Sequence, residues 1–342
     1  MERSPNPVDL SIIIVNWNSK EYLRKCIASI LSETHGIEFE IVVIDNASFD
    51  GSDQMLRETY TQVRFIQSEK NLGFAKANNA AFHESHGRHV LFLNPDTELI
   101  GPAINILLDS LKRLPNAGVV GCRLLNGDKT VQTSCIQAFP TILSQFLDSD
   151  LLRTIWPKSP LWGNAPLFGE WKGPKEVEAI SGACVMLKRS VFERVGLFSE
   201  DYFMYTEDID LSHKVHQQGY LNYYVSDAMI IHYGGGSSGK VVSKFSVIMT
   251  RESTDHFIRK TRGNLYGFCC RAAILISALS RMAVLMIIFP VAYALRRSST
   301  WSNSLQKWGA VAIWCLNREA WFNKYGHGIV RGETPTPWSN RR

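Results

Sequence analysis

Along the first 120 residues, short apolar runs alternate with stretches of helical periodicity. Runs at 11–15, 39–44, 63–66, 89–93 and 118–121 predict strands. Helices are expected at 20–31, 74–83 and 104–111, with a turn and another helix start at Asp50-Gly51-Ser52. Strands separated by helices, without hairpin spacing, imply a parallel, doubly wound α/β sheet. Ligands of such sheets sit beyond the carboxyl ends of the strands. Asn16, Asp45 and Asn94-Pro95-Asp96 all fall at those ends.

Past Gly121 the pattern changes. Asn126-Gly127-Asp128 is a turn signal between short runs and predicts an antiparallel hairpin. Residues 139–174 are irregular and rich in Pro, Trp and Phe, and strand character returns over 177–187. A helix is expected over 207–218, with Thr206 as N-cap and Gly219 as its stop. Residues 220–232 are strand-like and lead into a glycine-rich loop, 234–239.

Residues 268–295 are apolar but interrupted by Arg271, Arg281 and Pro290, leaving a longest charge-free stretch of 14 residues. A span needs ~20, so a monotopic or re-entrant segment is the expectation. Trp301, Trp308, Trp314 and Trp321 recur at helical spacing. That stripe fits an interfacial helix, or equally a helix packed on the rest of the protein.

Charge sharpens this division. Residues 251–342 carry 14 Lys/Arg against 4 Asp/Glu, whereas the first 250 carry 23 against 28. A basic surplus flanking apolar sequence fits an anionic membrane surface and argues against nucleic acid. Seven cysteines without a C-x-x-C pair, mostly inside apolar runs, read as buried reduced thiols. No secretory signal is visible near Met1, so the cytoplasmic side of the plasma membrane is the expected location.

Five places carry candidate chemistry. Asp96, after the strand at 89–93, could hold a hard cation that binds phosphate; Asn-Pro-Asp is also an ordinary turn sequence. Asp45 could accept hydrogen bonds from a ribose or base, or cap the helix near Asp50. Asn71, Gly73 and Lys76 mark a helix start suited to diphosphate, though Gly-containing helix starts are common. Glu207, Asp208 and Asp210 could include a general base, or only favour a helix N-terminus. His232 ends a strand before glycines that permit close approach to a ligand, although a lone histidine is more often structural.

In order along the chain, Ser11-Ile12-Ile13-Ile14-Val15-Asn16-Trp17-Asn18, Val43-Ile44-Asp45-Asn46-Ala47-Ser48, Asn71-Leu72-Gly73-Phe74 and Leu93-Asn94-Pro95-Asp96 form a series. Ser181-Gly182-Ala183, Glu207-Asp208-Ile209-Asp210-Leu211 and His232-Tyr233-Gly234-Gly235-Gly236-Ser237 complete it. The series resembles the glycosyltransferase family 2 enzymes of GT-A fold, over about residues 10–240. The subgroup it looks most like is the bacterial rhamnosyltransferases that use dTDP-L-rhamnose in surface-polysaccharide assembly.

The resemblance implies a GT-A catalytic domain over 1–240, with a donor part at about 10–121 and an acceptor part at about 122–240. A smaller antiparallel portion joins the mostly parallel sheet, and 241–342 form a helical, membrane-associating extension. By the same resemblance the reaction is an inverting transfer from a nucleotide-sugar donor to a glycan or lipid-linked oligosaccharide. Asp45 holds the base or ribose, with Asn16, Asn71, Gly73, Lys76 and Asn94 near the donor. Asp96 and His232 bind Mg²⁺ or Mn²⁺, and Asp208 is the base, with Glu207 and Asp210 as rivals. The family's D-x-D signature here reads Asn94-Pro95-Asp96, with a single acid.

Three other readings fit the sequence less well. A dinucleotide oxidoreductase needs G-x-G-x-x-G after the first strand, where this chain has Asn16-Trp17-Asn18-Ser19. A processive polymer synthase would carry several clear transmembrane spans. A non-catalytic sugar-nucleotide-binding scaffold would have little reason to retain Asp96, Asp208 and His232 together.

Overall fold

The structure, a computed structural model, describes residues 8–169, 173–234, 244–294 and 298–317. The glycine-rich loop from Gly235 onward and Trp321 lie outside the described residues. The chain divides into two compact units. One comprises residues 1–139, 157–203 and 207–240, the other 140–156, 204–206 and 241–342.

The first unit is built on β1 (Leu10–Asn16), β2 (Phe39–Asp45), β3 (Arg64–Gln67), β4 (His89–Leu93), β5 (Thr97–Ile100) and β6 (Ala117–Leu125). Between them run α1 (Lys20–Glu33), α2 (Ser52–Thr59), α3 (Gly73–His83) and α4 (Ala103–Arg113). β1 to β4 match the sequence reading, and β3-β2-β1-β4 are parallel neighbours. Almost every residue of β1 is buried, as expected of a strand covered on both faces. The inward stripes of α1 (Leu23, Cys26, Ile27, Ile30) and α4 (Ile104, Leu107, Leu108, Leu111) follow the i, i+3, i+4, i+7 spacing that covers a sheet.

Beyond β4 the sheet becomes mixed. A short two-residue strand, β7 (Ile136–Gln137), pairs with β9 (Ala179–Ile180) in a separate small ladder. β8 (Lys175–Val177), β10 (Cys184–Lys188) and β11 (Leu221–His232) complete the main sheet. β10 runs antiparallel to both β4 and β6, while β11 is parallel to β6 and antiparallel to β5 and β8. The single strand expected over 177–187 is thus three, because the chain bends at Glu178 and turns at Gly182-Ala183 to enter the centre of the sheet. β5 and the short α7 (Arg189–Arg194) were not expected.

The turn at Asn126 does close a hairpin, through Asn126 N–H to Thr130 O (2.8 Å) and a Leu125–Val131 bridge. α8 (Glu207–Gln217) forms where expected, but Thr206 is not a conventional N-cap. Its φ of 70° is left-handed, whereas an N-cap is extended; its hydroxyl instead meets that of Thr254.

The second unit is helical: α5 (Ile142–Leu147), α6 (Asp150–Ile155), α9 (Lys244–Arg262), α10 (Asn264–Ala294) and α11 (Ser298–Leu316). α10 is continuous through both interrupting arginines. Its stretch Asn264–Ile288 is the one candidate among the described residues that is long and apolar enough to cross a membrane, and 17 % of its most apolar window is buried. Arg271 donates to the carbonyls of Trp314, Cys315 and Asn317 at the end of α11, where cations are favoured. Arg281 donates to the carbonyls of Phe146 and Asp148. Trp308 and Trp314 lie under the guanidinium groups of Arg281 and Arg271, each at 4.3 Å, and Trp314 is buried. Those two rings therefore face protein rather than an interface.

Candidate active site

Three clusters lie at the carboxyl ends of the parallel strands. In the first, Asn16 and Asp45 are register partners at the tips of β1 and β2. Asn16 Nδ2 donates to Asp45 Oδ1 (2.7 Å) and reaches Ser48 and Ser52. The Asp45 carboxylate also accepts from the backbone N–H groups of Ser48 and Phe49, from the Ser48 hydroxyl and from Gln67 Nε2. It therefore folds the loop after β2 around itself. Two buried atoms beside it, Asn16 Oδ1 and Trp17 Nε1, have no protein partner among the described residues.

The second cluster is the start of α3. Asn71 Oδ1 accepts from Asn46 Nδ2 (2.8 Å) and from Gly73 N–H (2.9 Å), tying this segment to the loop after β2. Gly73 has φ 79°, and a Cβ there would sit 2.3 Å from Phe203 O, so both conformation and space require glycine. Lys76 is exposed on α3, away from these bonds.

The third cluster joins β4, β10, β11 and α8. Asn94 N–H donates to Ala183 O (3.0 Å), and Asn94 Nδ2 lies 3.3 Å from His232 Nε2. His232 Nε2 is also 3.3 Å from Asp96 Oδ1, because the β5–β11 ladder pairs His232 with Thr97. Residues 138 apart in sequence thus meet at one strand edge. One residue before Ala183, Gly182 N–H donates to Asp208 Oδ2 (2.8 Å), and Ile209 N–H donates to Asp208 Oδ1 (2.8 Å). The Gly182-Ala183 step therefore holds Asp208 and Asn94 together.

The three acids of α8 have separate environments. Asp210 is buried and accepts from Ser199 Oγ (2.6 Å) and Tyr202 OH (3.2 Å), with Lys214 Nζ at 3.7 Å. Glu207 is buried, its Oε2 has no partner among the described residues, and burial with the neighbouring Asp208 charge pushes its carboxyl up to about 8. Burial raises Asp208 too, opposed by the two backbone N–H groups that favour its charged form. Of the three, Asp208 is the carboxylate that stays only partly covered.

The model of the glycosyl transferase family 2 domain matches residues 11–196, more than half of the chain. This chain belongs to glycosyl transferase family 2. A relative named N-acetylglucosaminyl-diphospho-decaprenol L-rhamnosyltransferase, from Mycobacterium tuberculosis, is 32 % identical over 244 residues, covering 68 % of this chain and 78 % of that protein. Rhamnosyltransferase WbbL of Escherichia coli is 26 % identical, covering 68 % and 86 %. Among solved structures, a mannosyltransferase from Pyrobaculum calidifontis, bound to GDP-Man and Mn²⁺, superposes with a TM-score of 0.57 at 18 % identity. That likeness covers 92 % of this chain and 90 % of the other, and it shows the shared GT-A fold. The family 2 enzyme described here is accordingly a glycosyltransferase, with relatives in cell-wall and polysaccharide synthesis.

Of the residues singled out by sequence, Asn94, Asp96 and His232 come together, Asn94 and Asp208 are both bonded to the Gly182-Ala183 step, and Asn16 with Asp45 and Asn71 with Gly73 form two clusters linked by Asn46. Sequence reasoning missed the residues that hold these side chains, Asn46, Gln67 and Gln132. Isolated amides, in the loops at Asn46 and Gln132 and at the end of β3 at Gln67, carry no pattern that a periodicity can reveal.

Proposed function

We propose that this glycosyltransferase moves L-rhamnose from dTDP-L-rhamnose to a glycan or lipid-linked oligosaccharide, with inversion at the anomeric carbon. The observation that carries the mechanism is the setting of Asp208. Among the described residues it alone of the three acids on α8 is both half-buried and held by backbone N–H groups with no side-chain donor. In this reading Asp208 takes the proton of the acceptor hydroxyl as that oxygen bonds to the anomeric carbon. The bond to the diphosphate breaks on the opposite face, and its electron pair leaves with the nucleoside diphosphate. A raised carboxyl makes a better base near neutral pH than an ordinary aspartate. The rhamnose donor is supported by the two relatives named for that transfer.

Asp96 Oδ1 and His232 Nε2 fit a divalent cation as a donor pair. One carboxylate and one imidazole suit Mn²⁺ better than Mg²⁺, which favours oxygen ligands. Among the described residues no group of three or more His, Cys, Asp or Glu could hold a metal, so the donor diphosphate would complete the shell. When bound, such an ion neutralises charge on the departing diphosphate. Asn16, Asp45 and Asn71 shape the nucleoside pocket, with Asn16 Oδ1 and Trp17 Nε1 buried beside Asp45 without a protein partner among the described residues. Asn94 and Gly73 border the donor, and Lys76 offers its charge from the start of α3. The helical unit, by the same proposal, rests on the anionic cytoplasmic face of the plasma membrane, where a lipid-linked acceptor would be found.

The deciding experiment combines the Asp208→Asn variant with a panel of nucleotide sugars. Transfer should fall by at least about 100-fold, while thermal stabilisation by dTDP-rhamnose with Mn²⁺ persists. Wild-type-like transfer by Asp208→Asn would remove Asp208 from the mechanism. Stabilisation by UDP-sugars alone would replace the donor, and absence of any turnover by the wild-type protein would favour a scaffold. For the metal, His232→Ala should weaken dTDP binding with Mn²⁺ present and leave it unchanged in EDTA.

A further inference from the structure

His232 is useful as a ligand only if Nε2 carries the lone pair, and a neutral imidazole exists in two tautomers. A directed chain of hydrogen bonds, starting in the turn after β6 and reaching His232 through Gln132, 100 residues away in sequence, decides between them. Its fixed end is Asp128, which accepts from Thr130 Oγ1 (2.6 Å) and Thr130 N–H (3.0 Å). These bonds hold the Asp128 carboxyl below its usual range. An ionised carboxylate can only accept, so the Thr130 hydroxyl proton is committed to it.

The remaining capacity of Thr130 Oγ1 is as an acceptor, and it lies 2.9 Å from the Asn126 side-chain amide. That end of Asn126 must then be Nδ2, which turns Oδ1 toward the Gln132 side chain at 3.3 Å. Gln132 in turn presents Nε2 to Asn126, leaving Oε1 toward His232 Nδ1 at 2.8 Å. Two facing acceptors would repel, so Nδ1 carries the proton and donates. Nε2 is left as the acceptor. Asn94 Nδ2, 3.3 Å away, fits it as a donor. The Asp96 carboxylate oxygen, also 3.3 Å away, is an acceptor that draws the ring proton toward Nε2 when no cation is bound, so the Gln132 bond is what opposes that tautomer.

We propose that Gln132 is a positioning residue that locks His232 in the Nδ1–H tautomer and aims Nε2 beside Asp96. Metal-ligating histidines are commonly oriented by a hydrogen bond at the other ring nitrogen, and loss of that bond typically weakens the metal 10- to 100-fold. Here an amide oxygen supplies it, and the Asn126–Thr130 turn sets the amide. The proposal rests on reading His232 as a ligand of the donor complex, but its first readout needs no metal.

The test is the side-chain ¹⁵N spectrum of His232 in the metal-free full-length protein, with His232→Asn used to assign the signals. Wild-type protein should show Nδ1–H. Gln132→Leu, which removes the acceptor at similar size, should populate Nε2–H; Gln132→Glu, which keeps an acceptor, should restore Nδ1–H. Mn²⁺ affinity in the presence of dTDP, read by water-proton relaxation, should fall about tenfold or more in Gln132→Leu and recover in Gln132→Glu. An Nε2–H signal in wild type, or an unchanged tautomer in Gln132→Leu, overturns the proposal. Equal Mn²⁺ binding by wild type and His232→Ala would instead sink the ligand reading, and the ¹⁵N signals would still decide what Gln132 does.

Discussion

Three acids in four positions at the start of α8 have different fates because each meets different atoms. Asp210 is consumed by Ser199 and Tyr202, Asp208 is held by two backbone N–H groups, and Glu207 is buried with an unpartnered oxygen. Burial, helped by the Asp208 charge, lifts the Glu207 carboxyl from its ordinary 4.5 to about 8. A carboxyl that is raised on folding binds more protons in the native state than in the unfolded one between those two values. Stability therefore falls as pH rises from about 4.5 to about 8, and levels off above it. The loss is on the order of a few kcal/mol. Urea unfolding of the wild-type protein should give a midpoint that drops between pH 5 and pH 8. In Glu207→Gln that drop should shrink, with the variant gaining on wild type toward pH 8. A variant whose midpoint tracks wild type across the range would show that Glu207 is not the buried acid described here. At Gly73 the same scale predicts a steric penalty. Gly73→Ala should cost about 1–3 kcal/mol from φ strain, and the Cβ contact with Phe203 O adds to it.

At the scale of elements, the joint between β6 and α8 is the tightest that bears on the site. A Cβ on Gly118 would lie 2.0 Å from Val215 Cγ1 on α8, and 2.8 Å from Tyr220 Cβ. Gly118→Ala must therefore push α8 away from the sheet, at about 1–3 kcal/mol for overpacking. With Asp208 on α8 as the proposed base, turnover should fall while the proposed Mn²⁺-dependent binding of dTDP, assigned to other elements, is retained. Equal loss of both would indicate general unfolding rather than displacement of one helix. The same elements show what a sequence can reveal. β1, β2 and β4 are legible because strands covered on both faces are unbroken apolar runs, and α1 and α4 because a covering helix repeats its apolar positions. β5 escapes because Thr97-Glu98-Leu99-Ile100 is four residues long and follows directly on a turn. β8, β9 and β10 merge because the turn at Gly182-Ala183 sits inside apolar sequence. Asp96, Asp208 and His232 could be named from motifs. Gln132 could not, because its role depends on the register that brings β11 beside the Asn126 turn.

For the whole molecule, the remaining question is what the helical unit rests on. On α10 the exposed apolar side chains Leu265, Phe268, Ile276, Leu279, Met286 and Ile287 form one stripe, and Val284 and Ile288 are exposed beside it in the last turns described. Arg271 and Arg281 sit off that stripe with protein partners, so the stripe is uninterrupted by charge. Arg259, Lys260 and Arg262 close α9 just before it, where anionic headgroups would meet them. A helix whose arginines are held by protein partners on one side and whose apolar stripe is exposed on the other lies along a membrane more readily than it crosses one. Full-length protein should therefore co-sediment with vesicles containing anionic phospholipid and bind neutral vesicles more weakly, the difference shrinking in high salt. Replacing Phe268, Ile276 and Leu279 together by Ser removes about 2 kcal/mol of burial at each position, enough to weaken binding at least about 100-fold. Donor binding by that variant should be unchanged, which separates loss of lipid contact from loss of fold. Protease added outside sealed vesicles carrying the protein should cut linkers on both sides of α10. Protection of one side alone would show that the helix spans the bilayer and would overturn the monotopic reading.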